Sequence, residues 1–459
     1  MAINDIKEFK NVFFIGVAGV GMSAIAQYLA GIGKTVSGSD RYFKEDEEND
    51  IRNKLIAEGI QCFIQNGTGI TSATDLVVVS TAIEDSVPEV QLAKSLHIPI
   101  LKRSEVLALI AKSKKTIAVA GTSGKSTTSA MLFDILSVAG QEPSIISGAG
   151  LVRIMEEGKI GNAKVGQGDW LVIEADESDG SVVQYHPEIG LLLNIDKDHQ
   201  EMDELMQLFT VFKSHSNQFI VNQSNAFAAQ LSVGSANDFS IHNTIAAGLT
   251  ATDFKQEGLN IFFKIKGIDF SLQCLGVHNM ENALAAVAVA NRLGIDLKIA
   301  ATALAAYKGI YRRHQVLGQK NGVWVIDDYA HNPVKCAAAI RACQPLGKKV
   351  LAWFQPHGYG PTRFLRNDFV KEIAEALRPE DEIWMSEIFY AGGTAVKDIS
   401  ANDLIVDIRA LNKQAYFVAD RTELLNAMRP HFQEGTVLII MGARDPSLES
   451  FAHSLYQNL

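Results

Sequence analysis

The chain has 459 residues, enough for about three domains of ordinary size, and 47% of them are hydrophobic while 20% are charged. This balance is typical of a soluble globular protein and excludes an intrinsically disordered one. The formal net charge is −10 and no basic tract is present, so the composition argues against nucleic acid as a partner.

Cysteine usage and N-terminal hydropathy indicate the cellular compartment. The cysteines have neither CxxC nor Cys/His zinc spacing, and we interpret them as reduced thiols of a cytoplasmic protein: Cys62, Cys274, Cys336 and Cys343. The first residues lack the apolar core of a signal peptide, and no run reaches the length of a membrane span. We therefore expect no membrane partner.

Residues 11–40 have the pattern of a β-α-β nucleotide-binding unit. An apolar strand at 11–17 leads through a glycine turn into a helix, and a strand at 35–40 ends in Asp40, placed to accept a hydrogen bond from a ribose hydroxyl. The turn follows Gly-x-x-Gly-x-Gly rather than the dinucleotide pattern Gly-x-Gly-x-x-Gly, with Gly16, Gly19 and Gly21. This variant favours a nucleotide-linked diphosphate, with NAD as the alternative.

The next elements complete a first domain. The sequence predicts a parallel-type strand at 75–80, a helix at 88–96, a short strand at 98–101 and a helix at 104–111. A polar stretch then separates these elements from the next apolar run. We therefore expect an N-terminal domain over residues 1–112.

Residues 116–128 have the pattern of a phosphate-binding loop, in which a β-branched strand and a glycine turn lead into a helix that begins near Lys125. Backbone N–H groups and the positive helix end would converge on an anion, with Lys125 on the terminal phosphates and the Ser126 hydroxyl on Mg²⁺. The spacing Gly-x-x-Gly-Lys-Ser is shorter than the full P-loop pattern, because Val119 stands where the first glycine is expected. A glycine turn that only joins strand to helix is the alternative, which the adjacent Lys-Ser-Thr disfavours.

Two strand ends beyond the loop carry candidate metal ligands. A strand at 170–174 ends in the acidic run Glu174-Ala-Asp-Glu-Ser-Asp179. A carboxylate at this strand end is a candidate Mg²⁺ ligand, and the alternative interpretation is a solvated acidic loop. A strand at 189–195 is followed by His199, which is either a ligand or phosphate contact or a structural histidine.

A helix at 277–294 places two amide side chains, Asn279 and Asn282, on one face. Amide groups can read the paired donor and acceptor edge of a purine, but they can equally cap the start of a helix. The pattern leaves both interpretations open.

From residue 311 onward the sequence predicts a third domain. Arg312 and Arg313 form a cationic pair that suits phosphate or carboxylate groups. Strands and helices then alternate to the C-terminus, which indicates a parallel α/β domain of the Rossmann type. The predicted strands lie at 323–328, 349–354, 382–385, 415–418 and 436–441, and the helices at 334–342, 367–377, 401–411, 421–429 and from about 447.

The order of the motifs resembles the Mur ligase family over nearly the whole chain. The motifs are Gly-x-x-Gly-x-Gly-Met (16–22), Gly-Thr-x-Gly-Lys-Ser-Thr-Thr (121–128), Glu-Ala-Asp-Glu-Ser-Asp (174–179), Asp-His (198–199), His-Asn-x-x-Asn-Ala-Leu-Ala-Ala (278–286), Arg-Arg (312–313), Asp-Asp-Tyr-Ala-His-x-Pro (327–333) and Phe-Gln-Pro-His (354–357). Within the family they most resemble the branch that adds L-alanine to UDP-N-acetylmuramate.

The resemblance implies an α/β fold of three domains in a cytoplasmic monomer or homodimer. A Rossmann-like domain (1–112) would bind the UDP substrate, a P-loop ATPase with a mostly parallel sheet (113–314) would follow, and a Rossmann-like C-terminal domain (315–459) would close over the site. In the implied chemistry ATP phosphorylates a carboxylate to an acyl phosphate, which an amine then attacks. The protein would chiefly position the substrates and neutralise charge.

The same resemblance implies roles for individual residues. The catalytic residues would be Lys125, Glu174, His199 and His331, and Mg²⁺ would be held by Ser126, Glu174 and His199. ATP would contact Gly121, Thr122, Ser123, Gly124, Lys125, Ser126, Thr127, Asn279, Asn282, Arg313, Asp327 and Asp328. The UDP-linked substrate would contact Gly19, Gly21, Met22, Ser39, Asp40, Ser178 and His357. Some relatives carry a carbamylated lysine after the Asp-His motif, for which Lys213 is the candidate.

Three departures separate this chain from the alanine-adding branch. Ser123 stands where that branch has a histidine. Arg444 stands where a late Gly-Ala-Gly-Asp segment of that branch has its second glycine. Gly358 and Pro361 replace two arginines expected to grip the muramate substrate and the amino acid, and Arg363 lies two residues further on. Since loss of a bidentate guanidinium is not a conservative change, ATP-dependent ligation is the firmer expectation and the amine remains open.

The leading hypothesis is an ATP- and Mg²⁺-dependent ligase of peptidoglycan precursor synthesis. One alternative is a recycling ligase that joins a preformed peptide to UDP-N-acetylmuramate. A paralogue with a changed acceptor, or with only a nucleotide-binding role, is another. An NAD-dependent dehydrogenase is suggested only by residues 16–40.

Overall fold

A computed structural model describes residues 3–197, 201–234, 236–242, 247–390, 392 and 396–459. The chain forms two compact units. The first unit comprises residues 1–252, 265–270 and 281–310, and the second comprises residues 253–264, 271–280 and 311–459.

The first sheet of the first unit has five parallel strands in the order β3-β2-β1-β4-β5. Its strands are β1 (Asn11–Ile15), β2 (Thr35–Asp40), β3 (Gln61–Ile64), β4 (Leu76–Val79) and β5 (Ile100–Lys102), and its helices are α1 (Val20–Gly31), α2 (Asp50–Ala57), α3 (Pro88–Ser95) and α4 (Arg103–Lys112). Along β1, Phe14 packs into one core cluster while Phe13 and Ile15 pack into another. Because the side chains alternate between two covered faces, the strand reads as a continuous apolar run.

A second sheet has six strands in the order β11-β10-β6-β9-β7-β8 and is parallel except for β8. Its strands are β6 (Lys115–Ala120), β7 (Ser144–Ile146), β8 (Ala163–Lys164), β9 (Trp170–Ala175), β10 (Ile189–Leu192) and β11 (Gln218–Val221), with helices α5 (Lys125–Val138), α6 (Val152–Met155) and α7 (Met202–His215). The strand predicted at 189–195 ends at Leu192. The prediction was wrong beyond that point because the next residues turn towards the glycine loop after β6, where Leu193 N donates to Ala120 O (3.0 Å).

A small four-stranded sheet that the sequence did not predict follows, in the order β12-β13-β14-β15. Its strands are β12 (Phe239–Ser240), β13 (Leu249–Glu257), β14 (Asn260–Ile265) and β15 (Ile268–Leu272), and they lead into α8 (Val277–Arg292) and α9 (Leu297–Ala305). On β14 buried and exposed residues alternate strictly, as expected for a sheet with one solvated face.

The sheet of the second unit has six strands in the order β16-β17-β21-β18-β19-β20. Its elements are β16 (Gln315–Lys320), β17 (Val323–Asp328), α10 (Pro333–Cys343), β18 (Lys349–Gln355), α11 (Tyr359–Phe364), α12 (Arg366–Ala376), β19 (Glu382–Met385), α13 (Ala401–Ala410), β20 (Gln414–Phe417), α14 (Leu424–Met428), β21 (Thr436–Gly442) and α15 (Leu448–Asn458). The predicted alternation is confirmed, except that 421–423 form a 3₁₀ turn before α14. The antiparallel edge strand β16 was not predicted.

Three α/β sheets therefore bear out the predicted three-part fold, while the domain boundaries after residues 112 and 314 stay predictions. The carboxyl ends of β6, β9 and β10 lie together in the second sheet, because these parallel strands are neighbours. This edge positions the glycine loop of residues 121–124 beside the acidic run of residues 174–179.

A buried carboxyl on α5 gives a pH-dependent prediction. The Asp134 side chain accepts a hydrogen bond from Arg153 Nη1 (3.1 Å), and burial raises the pKa of Asp134 to about 6 although Arg153 opposes the shift. Between the ordinary pKa of 3.8 and a pH of about 6, the folded state therefore holds a proton that the unfolded chain has released. Stability falls over this range as the pH rises, and above it the buried carboxylate keeps its full penalty. We expect Asp134→Asn to raise the free energy of unfolding by about 2 kcal/mol at pH 8 and by about 1 kcal/mol at pH 5.

Urea denaturation followed by circular dichroism at the two pH values measures this effect. The control is Asp169→Asn, which removes an exposed partner of Lys115 and should change stability by less than about 0.5 kcal/mol. If Asp134→Asn raised the free energy of unfolding equally at both pH values, the raised pKa assigned to Asp134 would be contradicted.

Candidate active site

The loop between β6 and α5 has the backbone of a phosphate cradle. Gly121 and Gly124 have positive φ angles of 131° and 87°, a conformation that favours glycine. A Cβ atom on Gly124 would also lie 2.3 Å from Asn282 Oδ1, so the loop approaches α8 too closely for any other residue. The predicted strand–turn–helix geometry is confirmed, and α5 begins at Lys125.

Residues after β10 fix this loop in place. Asn194 Oδ1 accepts from Ser123 N (2.8 Å), and Asn194 Nδ2 donates back to Ser123 O (3.1 Å). The Thr122 hydroxyl donates to Asp196 O (3.1 Å) and accepts from Asp196 N (3.0 Å). Asn194 is a site residue that sequence reasoning missed, because its partner Ser123 lies 71 residues earlier and no local pattern links the two.

The Lys125 ammonium is held by three oxygen acceptors. Its Nζ atom lies 2.6 Å from Glu177 Oε2, 2.8 Å from Gly121 O and 3.6 Å from Asp176 Oδ1. Burial lowers the pKa of Lys125, but the carboxylates of Glu177 and Asp176 outweigh that effect and raise the pKa above its ordinary value. The loop therefore places an ammonium group, held by carboxylates, where terminal phosphates were predicted.

The two predicted metal ligands with described positions are brought together. The Ser126 hydroxyl donates to Glu174 Oε2 (2.9 Å), while Glu174 Oε1 accepts from the Ser147 hydroxyl (2.8 Å) and from Gly148 N (2.6 Å). Hydroxyl and carboxylate oxygens are the hard donors that Mg²⁺ prefers, so the pair fits this ion.

The third predicted ligand, His199, lies outside the described residues, so its catalytic and metal roles stay predictions. Among the residues with described positions, no group of three or more His, Cys, Asp or Glu side chains is arranged to hold a metal ion. Lys213 lies near the end of α7, and its carbamylation also stays a prediction.

The N-terminal glycine turn is supported by the end of β2. Ser39 O accepts from Gly16 N (2.7 Å) and Val17 N (3.0 Å). Asp40 accepts from Ala18 N (2.9 Å) through Oδ2 and from Tyr42 N (3.0 Å) through Oδ1. Asp40 thus shapes the turn, and the predicted contact with a ribose stays a prediction.

The other predicted substrate residues surround the start of α1 and the acidic run. Gly19 is the N-cap of α1, and Met22 is buried in its first turns. Ser178 is exposed, and its N–H donates to Asp176 Oδ1 (3.2 Å). Their contact with a substrate stays a prediction.

Arg103 is a candidate binding residue that sequence reasoning missed. Its guanidinium lies against the first turn of α1, where a Cβ on Gly21 would be 3.0 Å from Arg103 Cδ and 3.1 Å from Nη1. Gly21 therefore makes room for a cation at a helix N-terminus. Arg103 Nη2 also binds Asp179 Oδ2 (2.9 Å), and the only signal in the sequence was an arginine between the strand predicted at 98–101 and the helix predicted at 104–111.

In the second unit, Asp327 is committed to a buried ion pair. Arg312 donates through Nε to Asp327 Oδ2 (2.8 Å) and through Nη2 to Oδ1 (3.1 Å), and Nη2 also reaches Gly442 O (3.2 Å). Asp328 accepts from His314 N (2.6 Å) and Ala330 N (2.7 Å). Asp327 thus stabilises the fold through its ion pair with Arg312. The predicted contacts of Asp327 and Asp328 with the ribose of ATP stay predictions.

An aromatic and cationic group lies at the carboxyl edge of the same sheet. The Arg313 guanidinium lies 5.0 Å from the Tyr329 ring centroid, the Tyr329 and His331 centroids are 5.6 Å apart, and so are those of His331 and His357. The structure therefore brings together Arg313, His331 and His357, which were predicted to contact different ligands.

Asn279, also in this unit, donates to Leu275 O (2.8 Å).

The segment after β18, which differs from the expected family motif at Gly358 and Pro361, contains a residue with a positive φ angle. Gly358 has a φ of 72°, and a Cβ there would lie 3.3 Å from Pro361 Cδ. Arg363, the nearest cation after the missing arginines, is ion-paired with Asp398. The Arg363 guanidinium is thus already bound to a carboxylate of the protein.

Three family models match consecutive parts of the chain. The model described as "Mur ligase family, catalytic domain" matches residues 11–115, "Mur ligase middle domain" matches 119–290, and "Mur ligase, glutamate ligase domain" matches 312–444.

Curated relatives are similar over nearly their full length. A UDP-N-acetylmuramate–L-alanine ligase of Carboxydothermus hydrogenoformans is 33% identical over 454 residues, covering 95% of this chain and 95% of the relative. An enzyme of the same name from Myxococcus xanthus is 32% identical, covering 96% and 93%.

Solved structures agree with this fold. The UDP-N-acetylmuramate-alanine ligase of Thermotoga maritima has a TM-score of 0.77 at 25% identity, with 98% of each chain covered. A murein peptide ligase of Psychrobacter arcticus has a TM-score of 0.66 at 20% identity, with 98% of each chain covered, which shows the fold alone. None of the helices within the described residues is long and apolar enough to cross a membrane.

Proposed function

The chain belongs to the Mur ligase family and is an ATP-dependent ligase, and we propose that it joins the carboxylate of UDP-N-acetylmuramate to L-alanine in peptidoglycan precursor synthesis. The observation that carries the proposal is the phosphate loop with its charged Lys125 beside the Ser126–Glu174 pair. The names of the full-length relatives support the choice of substrates.

The geometry suits a reaction through an acyl phosphate. The substrate carboxylate oxygen attacks the terminal phosphorus of ATP and ADP leaves. The amine nitrogen then attacks the acyl carbon, the C–O bond to phosphate breaks, and the nitrogen loses a proton. Lys125 and the backbone N–H groups of the loop hold the phosphates and offset the charge that builds up on them. Mg²⁺, held by Ser126 and Glu174, would add positive charge at the same phosphates.

A second candidate is the ligation of a preformed peptide to UDP-N-acetylmuramate. The altered segment at Gly358 and Pro361 favours it, because a changed acceptor pocket is expected where the acceptor is larger. The cytoplasmic location and the monomeric or homodimeric state stay predictions.

Phosphate release from ATP in the presence of UDP-N-acetylmuramate tests these alternatives, with L-alanine, other single amino acids and short muropeptide peptides as acceptors. Mass spectrometry of the product identifies the amide formed. L-Alanine as the productive acceptor supports the proposal, whereas turnover only with peptides supports the second candidate. Tight ATP binding without turnover on any acceptor would overturn both.

Arg103 gives a prediction about the sugar nucleotide. A guanidinium at the N-terminus of α1 should bind the diphosphate, so Arg103→Ala is expected to weaken binding of UDP-N-acetylmuramate by about tenfold. Binding of uridine, which lacks the diphosphate, should not change. Calorimetric titration of both ligands measures the difference, with Arg153→Ala as the control for loss of another paired arginine of the first unit. An equal loss of affinity for uridine would show that Arg103 only supports the fold.

A further inference from the structure

The Glu177 carboxylate binds the ammonium that the proposed function assigns to the phosphates of ATP. The Lys125 and Glu177 side chains are only 14% and 7% exposed, and the 2.6 Å contact between them is the shortest that the ammonium makes. A lysine ammonium has three donors, and Glu177, Gly121 O and Asp176 lie around them. A phosphate oxygen that binds this ammonium must therefore share it with Glu177 or displace it.

We propose that Glu177 is a positioning residue that competes with the terminal phosphates for Lys125 and so sets how tightly ATP and ADP are held. This inference rests on the proposed function. The carboxylate and a phosphate are both anions, and in a desolvated site they repel each other while each attracts the same cation. Glu177 thus holds the buried ammonium in place, and it favours the release of ADP after turnover.

The isosteric variant Glu177→Gln removes the competing charge. We expect the dissociation constant for ADP to fall by about tenfold, because the phosphates become the principal anionic partner of Lys125. The dissociation constant for AMP, which lacks the terminal phosphates, should change by less than about twofold. We also expect KM for ATP and kcat to fall together, because tighter binding of substrate and product slows release without favouring the transition state.

Asp176→Asn is a matched control, since Asp176 faces the same ammonium from 3.6 Å and its side chain is 39% exposed. Its effect on ADP affinity should be at least about threefold smaller, because solvent screens the weaker contact. Glu177→Asp provides a second variant in case the glutamine protein does not fold. The shorter side chain weakens the pair, so ADP affinity should rise by about twofold to threefold.

Calorimetric titration of the full-length protein with ADP and AMP gives these constants, and thermal melting confirms that each variant is folded. The inference is overturned if either Glu177 variant binds ADP no more tightly than the wild type. It is equally overturned if Asp176→Asn has the same effect or if AMP binding tightens as much. Failure of the wild-type protein to bind ADP or ATP would instead overturn the proposed function.

Discussion

Replacement of Lys125 with alanine is expected to lower kcat/KM for ATP by about 1,000-fold or more, because a preorganised charge at the transferred phosphoryl group is lost from a water-poor site. The same change leaves the Glu177 carboxylate buried without its counter-ion. We therefore also expect the free energy of unfolding to fall by about 3 kcal/mol. Phosphate release and urea denaturation measure the two losses separately.

The double variant Lys125→Ala with Glu177→Gln distinguishes catalysis from stability. Removing both charges takes away the uncompensated carboxylate, so stability should recover by about 2 kcal/mol while kcat/KM for ATP stays as low as in the single variant. Lys115→Ala is the control, because this exposed lysine on β6 makes a surface ion pair with Asp169 and a cation–π contact with Trp170. A kcat/KM for ATP in Lys125→Ala within about tenfold of the wild type, or a double variant as unstable as the single one, would contradict the assignment.

Replacement of Arg312 with alanine is expected to lower the free energy of unfolding by about 4 kcal/mol, because the buried Asp327 would lose a bidentate partner. The two side chains are 8% and 2% exposed, and a third hydrogen bond ties the guanidinium to Gly442 O at the end of β21. Urea denaturation followed by tryptophan fluorescence suits this test. Three of the four tryptophans lie in the second unit: Trp324, Trp353 and Trp384.

Two further variants show whether the loss comes from burial and bidentate geometry. Arg312→Lys should recover only part of the stability, since an ammonium cannot reproduce the planar fork of donors. Arg363→Ala breaks an ion pair whose side chains are about half exposed, and it should cost less than about 1 kcal/mol. Equal losses for Arg312→Ala and Arg363→Ala would contradict the interpretation.

The sequence predicted the elements whose signal is local. Apolar runs such as 323–328 and 382–385 match β17 and β19, because parallel strands covered on both faces need continuous hydrophobicity. The phosphate loop was equally predictable, since Gly124, Lys125 and Ser126 are adjacent in the chain and act together through one turn.

Features that depend on distant partners were not predictable from the sequence. The side chain of Asn194 reaches a loop 71 residues earlier, and Arg103 meets an acid 76 residues later. The edge strand β16 (Gln-Val-Leu-Gly-Gln-Lys) is only partly buried, has a bulge near Gly318, and has Val316 and Leu317 as its apolar side chains, so its apolar signal is weak. In each case the tertiary neighbour, not the local pattern, decides the structure.

The backbone at Gly358 makes substitution at this position costly. An arginine at 358 would have to adopt a positive φ of 72°, at a cost of about 1–3 kcal/mol, and its Cβ atom would lie 3.3 Å from Pro361 Cδ. Substitution at 358 is therefore penalised while Pro361 remains. We therefore expect a side chain at 358 to be tolerated better once Pro361 has been replaced, because that replacement removes the contact at the Cβ atom.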